Sequence, residues 1–432
     1  MTFVGDHQDK PDPEHLPQVT QTAYGFNASY GLLMAALPVL VYYLWICNDF
    51  YGGALVVPTS WAEARELFSH VAPPTWTAAL LYGGWFGLQA LLQVVAPGRW
   101  VQGAELDDGS RLPYKMNGWA SWWATLAIVG GLVWSGVIPA TILYDEFGPL
   151  LTVVNLFSFA LSGYLYMYGK LWPAGEKIRG KFFYDYFMGT SLNPRIGRFD
   201  WKLFCEARPG LILWVLINLS IAAKQYAMIG AVTTPMILVC AFQFWYILDY
   251  YYHEEAILST WDIRHERFGW MLAWGDLLWV PFTYTLQAMY LLHHPFEIGL
   301  WEVFGLVTLN LVGYAIFRGA NIQKHRFRKD PERLIGGQPA QYIKTERGPL
   351  LLTSGWWGLS RHPNYWGDLT MALTWCLCTG FGHVLPYFYI IYFSILLIHR
   401  ERRDHAFCAG KYGKDWETYC KKVPYRIFPY LY

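Results

Sequence analysis

The sequence predicts an all-α, polytopic membrane protein, and three observations carry that prediction. The composition is apolar, the chain holds a series of long apolar runs, and Lys and Arg are spread unevenly between those runs. Of 432 residues, 54% are hydrophobic, 19% aromatic and 15% charged. Soluble domains carry about 25% charged residues, so charge has given way here to apolar and aromatic side chains. The many Trp and Tyr residues suit a headgroup boundary or a flat apolar ligand. A net charge of +1 offers nucleic acid no basic footprint.

A bilayer-crossing helix needs about 17–25 apolar residues, and roughly ten runs approach or meet that length. They are Ala28–Cys47, Trp76–Val95, Trp119–Leu143, Leu150–Tyr168, Gly210–Gly230, Ala231–Tyr252, Trp270–Leu291, Gly299–Phe317, Leu369–Gly382 and Val384–Ile398. Hydrocarbon offers the backbone no hydrogen-bond partner, so these runs are expected as helices. A β-barrel would show short alternating segments instead. With about ten spans, the even-numbered connections lie on the same side as both termini. The fourth connection carries Lys170, Lys177, Arg179, Lys181, Arg195 and Arg198. The eighth carries Arg318, Lys324, Arg326, Arg328, Lys329 and Arg333, and the tail adds Arg400, Arg402, Arg403, Lys411 and Lys414. Connections on the other side are nearly bare apart from Arg65 and Lys224. The positive-inside rule then places both termini in the cytoplasm.

Residues 1–27 are expected as a short polar tail. Asp6, Asp9, Lys10, Asp12 and Glu14 stand where a signal peptide would have its apolar core. Residues 28–317 read as an apolar helical body. Residues 318–432 read as a C-terminal half in which polar, Gly/Pro-punctuated sequence precedes the last two spans. The seven cysteines form no CxxC pair, so neither a disulfide frame nor a metal site is expected.

The densest polar sequence runs from Trp356 to Asp368. Pro363 bars His362 from helical geometry, so Arg361 and His362 sit on an extended turn. Asn364, Tyr365 and Asp368 then open a helix, whose free N–H groups and dipole suit an anion such as a cofactor phosphate. Taken alone, the turn reads equally well as an interfacial cap. A second piece, Ile398–Asp404, leads to Cys408, Lys411 and Tyr412. Arg400, Asp404 and Cys408 follow one another at i,i+4 spacing in a polar stripe below the membrane. Trp416, Tyr419 and Cys420 repeat at helical spacing beyond it. Alone, this piece reads better as a basic anchor with solvated ion pairs. In Asn321–Arg328, Lys324 and Arg328 share a face, to clamp a phosphate or to reach headgroups.

Arg361–Asp368, His383–Tyr389, His399–Asp404, Lys411-Tyr412-Gly413 and Val423–Arg426 resemble the sterol reductase family. That family includes the Δ14- and Δ7-sterol reductases and the membrane half of the lamin B receptor. Asn193–Gly197 and Glu206–Gly210 extend the resemblance, which runs from about Tyr184 to Tyr432. It implies a ten-helix reductase that uses NADPH without flavin or metal. Trp356-Trp357 and the closing run Val423–Tyr432 look closer to the Δ14 branch. The chain has no long N-terminal domain of the lamin B receptor kind, so no lamin or chromatin partner is expected. By motif position the resemblance implies cofactor contacts at Lys324, Arg328, Trp357, Asn364, Tyr365, Asp404, Cys408, Lys411, Tyr412 and Tyr419. Arg361, His362 and Arg400 join them on physical grounds.

Hydride does not attack an electron-rich alkene, so reducing a sterol ring double bond requires prior protonation. A general acid must face the sterol, and the cation must be sheltered from water. Tyr246, Asp249 and Tyr250 share a helical face and supply hydroxyl, carboxyl and aromatic surface. Asp276 lies deep within an apolar run, where an acid is functional by default. The stretch from Phe244 to Glu255 also reads as an aromatic belt ended by water-facing acids. The expected activity is an NADPH-dependent Δ14-sterol reductase in the endoplasmic reticulum or bacterial inner membrane, with its cofactor on the cytoplasmic side. Its partners are a membrane-embedded sterol and the bilayer. Alternatives are a Δ7-sterol reductase, or a methyltransferase like the isoprenylcysteine carboxyl methyltransferases, which share an Arg-His-Pro-x-Tyr turn. A silent sterol-binding scaffold is a third reading, opposed by intact Asp404, Lys411 and Tyr412.

Overall fold

A computed structural model describes residues 27–106, 109–172 and 180–432. Helix dominates, and the described chain forms two compact units. One holds residues 27–297 together with 379–386; the other holds 298–378 and 387–432. The expected tail, residues 1–27, lies outside the described residues except for Asn27.

In the first unit the long helices are α1 (Asn27–Asp49), α2 (Trp76–Val95), α3 (Gly118–Trp134), α4 (Phe147–Leu171), α5 (Pro209–Ile229) and α6 (Thr234–Tyr252). Thr75 caps α2 by accepting from the Ala78 N–H. At the other end of α2, the Asn117 amide donates to the carbonyls of Leu92, Gln93 and Ala96 and so caps the helix C-terminus. Asn117 also accepts from Arg208, a fully buried guanidinium paired with Glu254. Glu254 in turn accepts from the Gly118 N–H at 2.8 Å. The Glu206–Gly210 motif is therefore a girder: Arg208 ties the starts of α3 and α5 to the turn that ends α6. Pro209 opens α5, and Gly210 lies under the Asp276 carbonyl, where a Cβ would collide. Lys202 is also fully buried, and its ammonium donates to the carbonyls of Asp262, Ile263 and Glu266 at 2.7–3.0 Å.

Between apolar helices some buried polar groups are paired side chain to side chain, which a lipid-embedded interior favours. Gln243 on α6 accepts from Trp214 and Asn218 on α5, and Gln89 on α2 donates to Thr125 on α3. The run Trp270–Leu291, expected as one helix, is broken. A π turn at Gly275–Trp279 and the short helix Val280–Thr283, with Pro281 in its first turn, divide it before Leu286–His293. Residues 379–386 complete this unit: His383 bonds the Tyr290 hydroxyl, and the Pro386 carbonyl accepts from Gln287.

The second unit contains α7 (Leu300–Lys329), α8 (Pro363–Leu377), α9 (Phe388–Tyr412) and α10 (Lys414–Lys422). The expected division at residues 317/318 falls inside α7, which passes unbroken from apolar to basic sequence. The change of composition at Arg318 thus marks a change of surroundings, not the end of an element. Gly313 and Gly367 let α7 and α8 touch backbone to backbone; a Cβ at Gly313 would stand 2.9 Å from the Gly367 carbonyl. Gly413, at φ +52°, turns the chain from α9 into α10.

Among the described residues five helices are long and apolar enough to cross a membrane: Asn27–Asp49, Trp76–Val95, Phe147–Leu171, Trp201–Ile229 and Leu300–Lys329. The other apolar runs are helical but shorter, broken or more polar. Exposed Trp76 and Trp134 stand at the same end of the α2–α3 pair, where an aromatic belt belongs. Among the described residues four two-stranded hairpins, absent from the all-α expectation, fill the connections, and the longest of these pairs Arg99–Glu105 with Arg111–Met116.

Candidate active site

In the second unit, the turn before α8 places the densest cluster of chemistry-bearing side chains. His362 sits at φ −134° and ψ 63° as the N-cap residue, and Pro363 begins the helix. The His362 ring stacks on Tyr365 with centroids 4.8 Å apart, and its Nε2 lies 3.4 Å from an Asp404 oxygen. Burial, with Lys324 and Arg361 nearby, pushes His362 well below the usual imidazole range. The ring is therefore neutral at pH 7, and the contact with Asp404 is a polar one between a neutral donor and a carboxyl, not an ion pair. Burial pushes Asp404 up, and Lys324 and Arg328 act to hold it down.

Lys324 lies 3.7 Å from the centroid of the Trp357 ring, whose indole N–H donates to the Ala320 carbonyl. That pair fixes the cation against a flat aromatic face. Asp404 and Cys408 stand one turn apart on α9. On α10, Trp416 and Tyr419 pack with Val423 against Cys408 and Tyr412. Burial pushes both the Cys408 thiol and the Tyr419 phenol up, so both are neutral donors. The carboxamide oxygen of Asn364 is buried without a hydrogen-bond partner, and so are both polar atoms of the Asn321 side chain. Together these groups offer cations, hydroxyl- and amide-reading donors and acceptors, and aromatic faces. That set fits an anionic, hydroxyl-rich dinucleotide.

Arg361 is occupied differently. Its guanidinium donates to His405 at 3.0 Å and to the Pro424 carbonyl at 3.2 Å, with the Cys420 sulfur at 3.4 Å. The backbone N–H groups of Arg361 and His362 donate to the carbonyls of Tyr425 and Arg426. Arg426 then pairs with the fully buried Glu401 at 2.8 Å. The closing run is thus laced to the turn before α8. Glu401 and His405 are positioning residues that sequence reading passed over, because Ile398–Asp404 looks like a solvated anchor. Their signal was the helical spacing that puts Glu401 and His405 on one face. Arg400 is half-buried one turn before Asp404, and Lys411 lies 5.4 Å from the Tyr412 ring.

In the first unit, Tyr246 and Asp249 lie on α6, a helix packed on α5 and on Leu286–His293. The Tyr246 ring is 6.4 Å from that of Trp214. Asp249 is nearly buried, 3.8 Å from His253 across one helical turn. Tyr250, one turn beyond Tyr246, has a buried hydroxyl with no hydrogen-bond partner. Asp276 stands on the π turn, which packs against α4 and α5.

The profile of the Ergosterol biosynthesis ERG4/ERG24 family matches residues 20–432. The chain belongs to the ERG4/ERG24 family of sterol reductases. A Delta(14)-sterol reductase from Methylotuvimicrobium alcaliphilum is 62% identical over 409 residues, covering 95% of this chain and 96% of the relative. One from Dictyostelium discoideum is 50% identical over 414 residues, covering 93% and 90%. The Delta(14)-sterol reductase erg24 of Schizosaccharomyces pombe is 42% identical over 417 residues, covering 95% and 96%. The ERG4/ERG24 match thus takes in both units, the Tyr246–Asp249 face as well as the Lys324–Asp404 cluster.

Proposed function

We propose that the chain is an NADPH-dependent Δ14-sterol reductase that saturates the C14=C15 bond of a membrane-embedded sterol. The observation that carries this reading is identity of 62% and 50%, over nearly the whole chain, to proteins named Delta(14)-sterol reductase. It is supported by the Lys324–Trp357–His362–Asp404 cluster, whose chemistry fits a dinucleotide. In this reading Lys324, Arg328 and Arg400 lie near its phosphates, and Lys411 is a further cofactor contact. Asp404 and Asn364 read hydroxyl and amide groups, and Trp357, Tyr365, Tyr412 and Tyr419 offer ring faces, with Cys408 and His362 between them. Arg361 acts through the tail it holds. NADPH, when bound, supplies a hydride.

Tyr246 donates its phenolic proton to C15, because the resulting cation then sits on the more substituted C14. Asp249, one turn away, orients and recharges that hydroxyl, and Asp276 adds negative field from the π turn. Aromatic faces such as Trp214 stabilise the cation and exclude water. Hydride adds to C14, so one hydrogen comes from solvent and the other from the cofactor. The fold reading that accompanies this is about ten spans with both termini cytoplasmic, in a bacterial inner membrane or the endoplasmic reticulum.

Purified protein given matched 8,14-diene and 5,7-diene sterols with NADPH is expected to reduce only the former, read by mass spectrometry. Turnover confined to the 5,7-diene would overturn the Δ14 reading. In heavy water the product is expected to carry a single deuterium, at C15; deuterium at C14 as well would exclude hydride from NADPH. Arg328→Ala is expected to raise the KM for NADPH roughly ten- to a hundredfold, the size of a lost charge-assisted hydrogen bond, with sterol KM unchanged.

A further inference from the structure

α7 presents two faces of different chemistry. At about 100° per residue, Asn321, Lys324 and Arg328 share one face, and Gly319, Ile322 and Arg326 the opposite one. The second face continues the apolar stripe of the span, on which Phe304, Leu311 and Ala315 are exposed. At its basic end, the chain leading into the hairpin Leu334–Ile335/Gln338–Pro339 folds back on the helix. A cleft of about 270 Å³ remains, lined by Ile322, Gln323, Arg326, Phe327, Arg333 and Leu334. Its walls are largely apolar, and the two arginines are exposed at its edge. Among the described residues neither arginine is ion-paired, and Asp330 nearby accepts instead from the Glu332 N–H.

We propose that this cleft binds an anionic phospholipid, its phosphate between Arg326 and Arg333 and one acyl chain along Ile322, Ala315 and Leu311. Ala315 keeps that track shallow, and the Trp356 ring packed on Gly319 bounds it on one side. Guanidinium forks match phosphate oxygens in pairs, and no second ammonium is welcome beside two arginines, so a choline headgroup is disfavoured. The apolar walls distinguish a lipid from free phosphate. The cleft opens on the face of α7 opposite Lys324, with its wall residue Phe327 packed on Trp357 of the dinucleotide cluster, and its two arginines take no part in the reaction proposed above.

The test is native mass spectrometry of the full-length protein in mild detergent. Phosphatidylglycerol, phosphatidylcholine with the same chains, and chainless glycerol phosphate are the probes. One phosphatidylglycerol is expected to stay bound, roughly tenfold or more in preference to phosphatidylcholine, the effect of two basic residues at a membrane surface. The R326A/R333A double variant should lose that preference, whereas R326K/R333K and Arg347→Ala should keep most of it. Thermal midpoints in lipid-free detergent check that the variants are folded. Equal retention of the two lipids, unchanged retention in R326A/R333A, or displacement by equimolar glycerol phosphate would each overturn the proposal.

Discussion

Removing one oxygen from Tyr246 separates its chemistry from its packing. Phe keeps the ring against Trp214, so sterol and NADPH should still bind while turnover falls about 10²–10⁴-fold, the usual worth of a general acid. Single-turnover rates with the 8,14-diene check this, and full activity would remove Tyr246 as the donor. His362 permits a second test through stability. Its folded pKa is depressed, while in the unfolded chain it titrates near 6.5. Below about pH 6.5 the unfolded state takes up a proton that the folded state refuses, so stability falls as pH falls. His405, also depressed by burial, acts in the same direction. Asp404, raised by burial, opposes them lower down, since protonating it relieves a buried charge. His362→Gln should therefore flatten the loss of thermal midpoint between pH 7 and pH 5.5, and an unchanged slope would mean that His362 is not buried neutral. At this scale the sequence made the residue types and helical spacings legible, as with Lys324 and Arg328. Spacing alone did not reveal that Arg361 spends its guanidinium on His405 and the Pro424 carbonyl, because those contacts depend on where the tail returns.

Elements were legible where apolar length dictated them and illegible where a backbone approach did. The spans α1, α2, α4, α5 and α7 follow from hydropathy alone. The π turn at Gly275–Trp279 does not, and it stands where the Asp276 carbonyl lies against Gly210, a contact between distant positions. The same physics governs the α7–α8 crossing. A Cβ on Gly367 would meet the backbone of Phe317 and Gly313, atoms that cannot rotate away. Gly367→Ala is thus expected to lower stability by about 1–3 kcal/mol, the cost of overpacking. Gly305→Ala on α7, where a Cβ meets nothing within 4 Å, should be neutral or slightly stabilising. Thermal unfolding in detergent compares the two. Equal midpoints would mean that the helices do not touch at Gly367.

For the whole molecule, membrane residence was legible in composition, whereas the grouping of residues 379–386 with the first unit was not, since a chain's return to an earlier unit leaves no local signature. Topology rests on Lys and Arg. The tail past Ile398 and the stretch from Arg318 to Arg361 are both cation-rich, and the positive-inside rule holds such segments in the cytoplasm. In the proposed reading of about ten spans, the even number puts the N-terminus there as well. A fluorescent protein that matures only in the cytoplasm, fused after Tyr432 or inserted at the exposed Glu346–Gly348 turn, is expected to light up in a bacterial host. Alkaline phosphatase, active only outside, should be silent at both places and at the N-terminus. Because α8 and α9 lie between the two reporter positions, matching signals require that those helices cross as a pair or not at all. Phosphatase activity at Tyr432 with fluorescence at Glu346 would mean that only one of them crosses, and the reading of about ten spans would fail.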